Sequence, residues 1–321
     1  RSACEEALGR VLAYTGLQPS EMVPEVELVS RSQWIDGSLE TMAEMVEPLE
    51  RAASDAVQLP WLLGAAARRG LGAATGLEVG AISGYASRKV LGQFDIALGK
   101  RRHPSRLLLV EPNVLSAAGE LKVEVEPFLL WIAIHEQTHT AQFTSVPWLR
   151  EHLSGLLDRL LTESGKGLDG KAIGALARRL LTTDPRESIQ AALRGELMRA
   201  LAGEEQQALM DELQAAMAVV EGYAEHVMDA AVAGEPELEP MRERLQARRD
   251  QRGGLADAIA KVLGLGMKMR QYELGKAFCD AVVSETGIAG LNRVWSDPAA
   301  LPSLEQLENP QLWRAAEPAS A

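Results

Sequence analysis

Aromatic side chains are scarce in this sequence, with Phe, Trp and Tyr together making up 4% of its 321 residues. Sheets rely on such residues and on β-branched ones for cross-strand packing, so a large sheet is not expected. Cysteine is scarcer still. Cys4 and Cys279 stand far apart and neither belongs to a Cys-x-x-Cys spacing, which argues against a disulfide framework or a thiolate zinc site and makes a reducing cytoplasm the expected location. No run of about 18 uncharged apolar residues occurs, so no segment reads as a membrane span. The N-terminal stretch from Arg1 lacks the basic-then-apolar order of a secretion signal, although a trimmed leader stays open. Clusters of Lys and Arg interleaved with aromatics are missing, and the net charge of -12 repels phosphate backbones and anionic lipid. Neither a nucleic acid nor a membrane is an expected partner.

Ala, Leu, Glu and Arg are abundant, and 46% hydrophobic with 24% charged residues describes a chain that folds and is mostly helical. Apolar residues at helical spacing (Leu8, Val11, Leu12; then Leu39, Met42, Met45, Val46, Leu49) predict helices on either side of the Pro19 to Pro24 break. Gly72, Gly76, Gly80 and Gly84 recur every fourth residue, a smooth stripe suited to close helix packing in a bundle. Two short runs, Arg106 to Val110 and Leu121 to Val125, read either as strands or as loops with local extension, and either could supply a sheet edge for an extended substrate. Further helices are expected over 148–163, 171–182, 186–202, 211–232 and 255–283. Pro298, Pro302, Pro310 and Pro318 predict an extended tail from about 296, wrapped over a single compact domain spanning 1–321.

The chemistry concentrates at His135-Glu-Gln-Thr-His139, an H-E-x-x-H motif. Imidazoles at i and i+4 project from one helical face and can close on one Zn²⁺ at about 2.0–2.1 Å each. Glu136 is rotated roughly 100° from that direction, beside the metal and within reach of a metal-bound water, which is where a general base belongs. A single histidine on an apolar face would read as a core residue. A pair with Glu136 between them reads as a metal site. The segment 126–134 runs straight into the motif, with Pro127 suited to the first helical turn. Phe128, Trp131 and Ile132 share the histidine face while Leu130, Ile134 and Ala141 cover the other side, so this helix is apolar nearly all round and predicted to be buried until Pro147 stops it.

Catalytic zinc commonly has three protein ligands and a water. Val220-Glu-Gly-Tyr-Ala-Glu-His226 offers Glu221 and Glu225 on one face of a partly apolar helix, with Glu221 the expected third ligand and Glu225 the carboxylate behind a ligand imidazole. His226 projects about 140° from Glu221 and is a weaker ligand candidate. For polarising a substrate carbonyl, Tyr272 is the expected catalytic donor, with Tyr223, His226 and Arg270 as further candidates. His103 and His152 read as surface or supporting residues.

The pairing of His135-Glu-Gln-Thr-His139 with Glu221-Gly-Tyr-Ala-Glu225 resembles the gluzincin pattern, in which the third ligand is the first Glu of such a helix. Here 81 residues separate His139 from Glu221, far more than in familiar gluzincins. More closely, the chain resembles a family of actinobacterial and chloroflexi proteins described as zinc-dependent metallopeptidases and labelled as associated with deazaflavin-coenzyme biosynthesis. The stretches that carry this likeness are 90–95, 110–113, 128–148, 221–229, 270–272 and 292–295. The resemblance implies a zincin-like fold, mainly α with a small β element near the motif helix. The expected function is hydrolysis of a peptide or amide bond in a peptide or protein substrate, with Zn²⁺ as cofactor. Two alternatives remain: a metal-binding but non-hydrolytic helper or scaffold, and a helical interaction protein without metal. Oligomeric state is not legible.

Overall fold

The computed structural model describes residues 2–38, 84, 86–96, 105–167, 203–235 and 270–315. In chain order these form α1 (Ser2–Thr15), β1 (Val26–Val29), a helical segment 31–38, β2 (Gly92–Asp95), β3 (Arg106–Val110), α2 (Glu111–Leu121), α3 (Val125–Ser145), α4 (Pro147–Gly167), α5 (Glu204–Ala231) and α6 (Arg270–Leu291). Two 3₁₀ turns (Asn292–Trp295, Pro298–Ala300) and two short helices, α7 (Leu304–Glu308) and α8 (Pro310–Ala315), follow. The mainly helical architecture with one small sheet agrees with the sequence reading. Among the described residues no helix is long and apolar enough to cross a membrane. The glycine stripe lies outside them except for Gly84, as do the expected helices around 39–49, 171–182 and 186–202.

Helix α3 lies at the centre, packed against α1, α5 and β2. Its apolar residues Phe128, Ile134, Ala141 and Phe143 join one core cluster with Val11 of α1, Leu149 and Leu153 of α4, Val219 of α5 and Phe278 of α6. Burial continues through the polar stretch of α3, where Thr138, Thr140 and Thr144 are all buried. Each of those hydroxyls donates to the carbonyl four residues back in the same helix, at 2.7, 3.2 and 2.7 Å. The helix thus satisfies its own threonines and can be enclosed without leaving those polar groups unpaired.

The sheet has the order β1-β3-β2, with β3 parallel to β1 and antiparallel to β2. Of the two predicted strand runs, 106–110 is the central strand. The other, 121–125, is not a strand: Leu121 ends α2, Lys122 takes a left-handed conformation (φ 54°) whose N–H caps the carbonyls of Ala118 and Gly119, and Val125 already begins α3. Five alternating residues are too few to separate a strand from a tight helix-to-helix corner. Strands β1 and β2 went unpredicted, being only four residues long, and it is β2 that lies against α3. The tail also differs from expectation. Pro298 and Pro310 open short helical turns rather than breaking them, as proline does at a first helical position. Ser303 and Gln306 form a reciprocal capping box that starts α7.

Helices α5 and α6 meet at glycines. A Cβ on Gly222 would collide with the Gly275 carbonyl and the Lys276 nitrogen, and one on Gly275 would fall on the Ala218 carbonyl. Backbone thus touches backbone at this crossing, and the helix that carries Glu221 is held by it. Gly275→Ala should cost about 1–3 kcal/mol of stability by overpacking. Gly155→Ala on the exposed face of α4, where an added Cβ meets nothing within 4 Å, should be neutral or gain up to about 1 kcal/mol. Thermal or urea unfolding of both variants checks this; equal behaviour would mean the crossing tolerates separation.

Candidate metal centre

His135 and His139 occupy the middle of α3, one turn apart on one face, with ring centroids 4.8 Å apart and planes at 87°. Their Nε2 atoms approach to 3.3 Å. Helix α5 brings Glu221 across from them, with Oε2 3.6 Å from each Nε2. Donors on a tetrahedral zinc with bonds of about 2.0–2.1 Å stand about 3.3–3.4 Å from one another, so this triangle needs to contract by only a few tenths of an ångström. Among the described residues, these three side chains form the one His/Cys/Asp/Glu group close enough to hold an ion.

The electrostatics suit a cation as well. Burial of His139 favours its neutral ring, yet the facing Glu221 carboxylate, with Glu136 and Gln142 adding to it, pushes its pKa up from 6.5 to about 9. A pocket that favours positive charge at that ring favours a divalent ion there, with release of the proton.

Glu136 points elsewhere. The Phe94 N–H of β2 donates to its Oε2 at 3.0 Å, and only 8% of the residue is exposed. Strand β2 leaves room for this carboxylate through Gly92, where a Cβ would come within 2.7 Å of Glu136 Cγ and 2.9 Å of Oε1. Gln142, three residues beyond His139, is fully buried, with Oε1 2.9 Å from His139 Nδ1 and Nε2 donating to the Val220 carbonyl at 3.0 Å. The sequence reading passed over both Gly92 and Gln142. For Gln142 the available signal was a polar residue on a helix otherwise read as apolar, placed at i+3 from a histidine.

Other sequence candidates sit apart from this triangle. Tyr223 is wholly buried, packs edge-on against Trp295, and donates its hydroxyl to Asn292 Oδ1 at 2.8 Å. Burial pushes its pKa up. Two residues beyond Glu221, it faces the opposite side of α5 and serves the core, which corrects its candidacy as a carbonyl donor. His226 is likewise engaged elsewhere: Tyr14 Oη lies 2.7 Å from its Nε2 and Asp280 Oδ1 lies 2.6 Å from its Nδ1. Lys276 completes that cluster, 2.6 Å from Asp280 and 3.1 Å from Asp229, and the group ties α1, α5 and α6 together. Glu225 stands one turn beyond Glu221 and is partly buried. Arg270 and Tyr272 open α6, and their side chains, like all of His103, lie outside the described residues. His152 packs edge-on to Trp148 with Glu212 at 3.8 Å.

The pattern of a zincin-like metallopeptidase family matches residues 1–313. The chain belongs to that family. A zincin-like metallopeptidase is built around a metal, usually zinc, and the triangle of His135, His139 and Glu221 fits one. The fold is also similar to a crystal structure from Chloroflexus aurantiacus described as a candidate hydrolase with a novel fold, at 25% sequence identity and a TM-score of 0.70, covering 99% of this chain and 91% of that one. No curated protein matches the chain. Membership of that family, with the His135, His139 and Glu221 group, supports a metallohydrolase.

The Asp280 cluster has a pH signature. Burial raises the Asp280 pKa, but hydrogen bonds from His226 and Lys276 outweigh it and hold the carboxyl below its usual range. A depressed folded-state pKa contributes stability that is present above the unfolded value of about 3.9 and is lost as pH falls through the lower folded value. Asp280→Asn should therefore melt below the parent at pH 7, with the gap closing as pH drops below about 4. Melting curves from pH 7 to 3 test this, and a constant gap would show that charge is not what Asp280 contributes.

Proposed function

We propose that this protein is a zinc-dependent hydrolase that cleaves a peptide or related amide bond in a peptide or protein substrate, with His135, His139 and Glu221 as ligands and Glu136 as general base. The observation that carries this reading is a division of labour within one helix. Three donor atoms converge at 3.3–3.6 Å while the adjacent Glu136 is held out of the triangle by the Phe94 N–H. Zinc, when bound there, supplies a Lewis acid and brings the pKa of a bound water toward about 7.

The protein's own groups do the rest. Glu136 accepts the proton of the attacking water and returns it to the departing amine, and the Phe94 hydrogen bond fixes the direction of its carboxylate. For the substrate carbonyl the proposed donor is Tyr272, with Arg270 as a further candidate, both in the first turn of the helix that Gly275 pins to α5. Strand β2 is an edge of the sheet among the described residues and lies against α3, which supports an extended substrate beside it rather than beside the central β3. A cytoplasmic location belongs to the same proposal, supported by Cys4 and Cys279 standing as buried free thiols.

Glu136→Gln keeps size and removes the base, so zinc content should stay near one equivalent while turnover of a peptide-library substrate falls roughly 10²- to 10⁴-fold. His135→Ala should lose both. Zinc binding without any chelator-sensitive cleavage by the parent would favour the non-hydrolytic helper, and loss of zinc by Glu136→Gln would make that residue structural. A separate expectation concerns the room beside the base: Gly92→Ala should displace the Glu136 carboxylate and lower turnover about 10- to 100-fold at unchanged zinc content. Metal analysis and steady-state rates on the same preparation check it.

A further inference from the structure

We infer that Gln142 is a positioning residue that sets the tautomer of His139 and couples it to the backbone beside Glu221. The inference rests on the metal reading above and goes beyond it by naming a group outside the ligand triangle. The Val220 carbonyl can only accept, so the Gln142 side-chain nitrogen, 3.0 Å away, must be the end that faces it. The amide oxygen is then left facing His139 Nδ1 at 2.9 Å, and an oxygen there can only accept. His139 Nδ1 therefore carries the proton. Once the ring gives up its other proton to a metal, its Nε2, the atom 3.3 Å from His135 Nε2 and 3.6 Å from Glu221 Oε2, is the nitrogen that presents a lone pair.

The same amide ties two helices together. Val220 immediately precedes Glu221, so the bond that orients Gln142 also holds α5 against α3 at the residue next to the third donor. Gln142 is completely buried, and water does not compete for either bond. A carboxylate usually takes this outer position behind a ligand histidine, but an ionised carboxylate could not also donate to the Val220 carbonyl. Glutamine does both. The role read for Glu225 in the sequence is thus filled, for His139, by a residue on the motif helix itself.

The test uses the full chain and zinc alone. Gln142→Met keeps length and burial but makes neither bond, so zinc affinity, measured by chelator competition, should fall roughly 10- to 100-fold. Gln142→Glu still offers an acceptor to His139 Nδ1–H whatever becomes of the Val220 bond, and should keep affinity within about threefold of the parent. A packing role would not separate the two variants in this way. Nitrogen-15 correlation spectra of the zinc-loaded parent should show His139 protonated at Nδ1 with the metal at Nε2, a readout that needs no variant to fold. A proton on Nε2, or parental affinity in Gln142→Met while the parent binds zinc, would overturn the inference and leave the metal reading standing. A parent that takes up no zinc would overturn both.

Discussion

Where Gly222 and Gly275 face each other, two helices approach until their peptide groups touch, and the geometry of the pocket follows from that contact. Helix α5 is clamped between α6 on this side and α3 on the other, so the face bearing Glu221 is directed at the two histidines and the face bearing Tyr223 at the core. A single added methyl at either glycine would displace a helix rather than a side chain. Backbone contact of this kind leaves little freedom, because no rotamer can absorb the error.

Enclosing a polar helix is the second constraint. Helix α3 carries Glu136, Gln137, Thr138, His139, Thr140, Gln142 and Thr144 in the buried interior. The threonines bond back to their own helix, Gln137 reaches the Cys4 carbonyl, Glu136 takes a strand N–H, and Gln142 bridges a ring nitrogen and a carbonyl. The backbone partners leave one choice of donor, and the ring nitrogen takes the role that the Val220 carbonyl leaves it. Such networks define a single arrangement when complete, and they are costly when one member is removed.

Much of this was legible in the sequence, and the part that was not has a physical reason. The i, i+4 spacing of His135 and His139 marks one helical face wherever the helix lies, and Glu221 could be chosen because a site with two imidazoles needs a further donor. The burial of α3 could be read from apolar residues on all its sides. Short strands could not: β1 and β2 have four residues each, and their partners in β3 lie 81 and 11 to 17 residues away, so no local period reveals them. Tyr223 and His226 looked like site residues because they flank Glu221 in sequence, yet on a helix neighbours point to different sides. Gly222 read as part of a motif, and its function as a contact point became visible only with Gly275 opposite it. Gln142 required knowing that the Val220 carbonyl lies beside it.

The pocket is assembled from pieces that are remote along the chain: Gly92 and Phe94 from the sheet edge, His135 to Gln142 from one helix, and Val220 with Glu221 from another. None of these pieces alone presents more than a fraction of the donor set, so an unfolded or partly folded chain has no comparable affinity for an ion. Occupancy is therefore linked to completed folding. A ligand present at about 100 times its dissociation constant stabilises such a native state by about 2.7 kcal/mol, a large share of what holds an ordinary domain together. An ion held by His135, His139 and Glu221 would thus act as a latch on the finished tertiary structure.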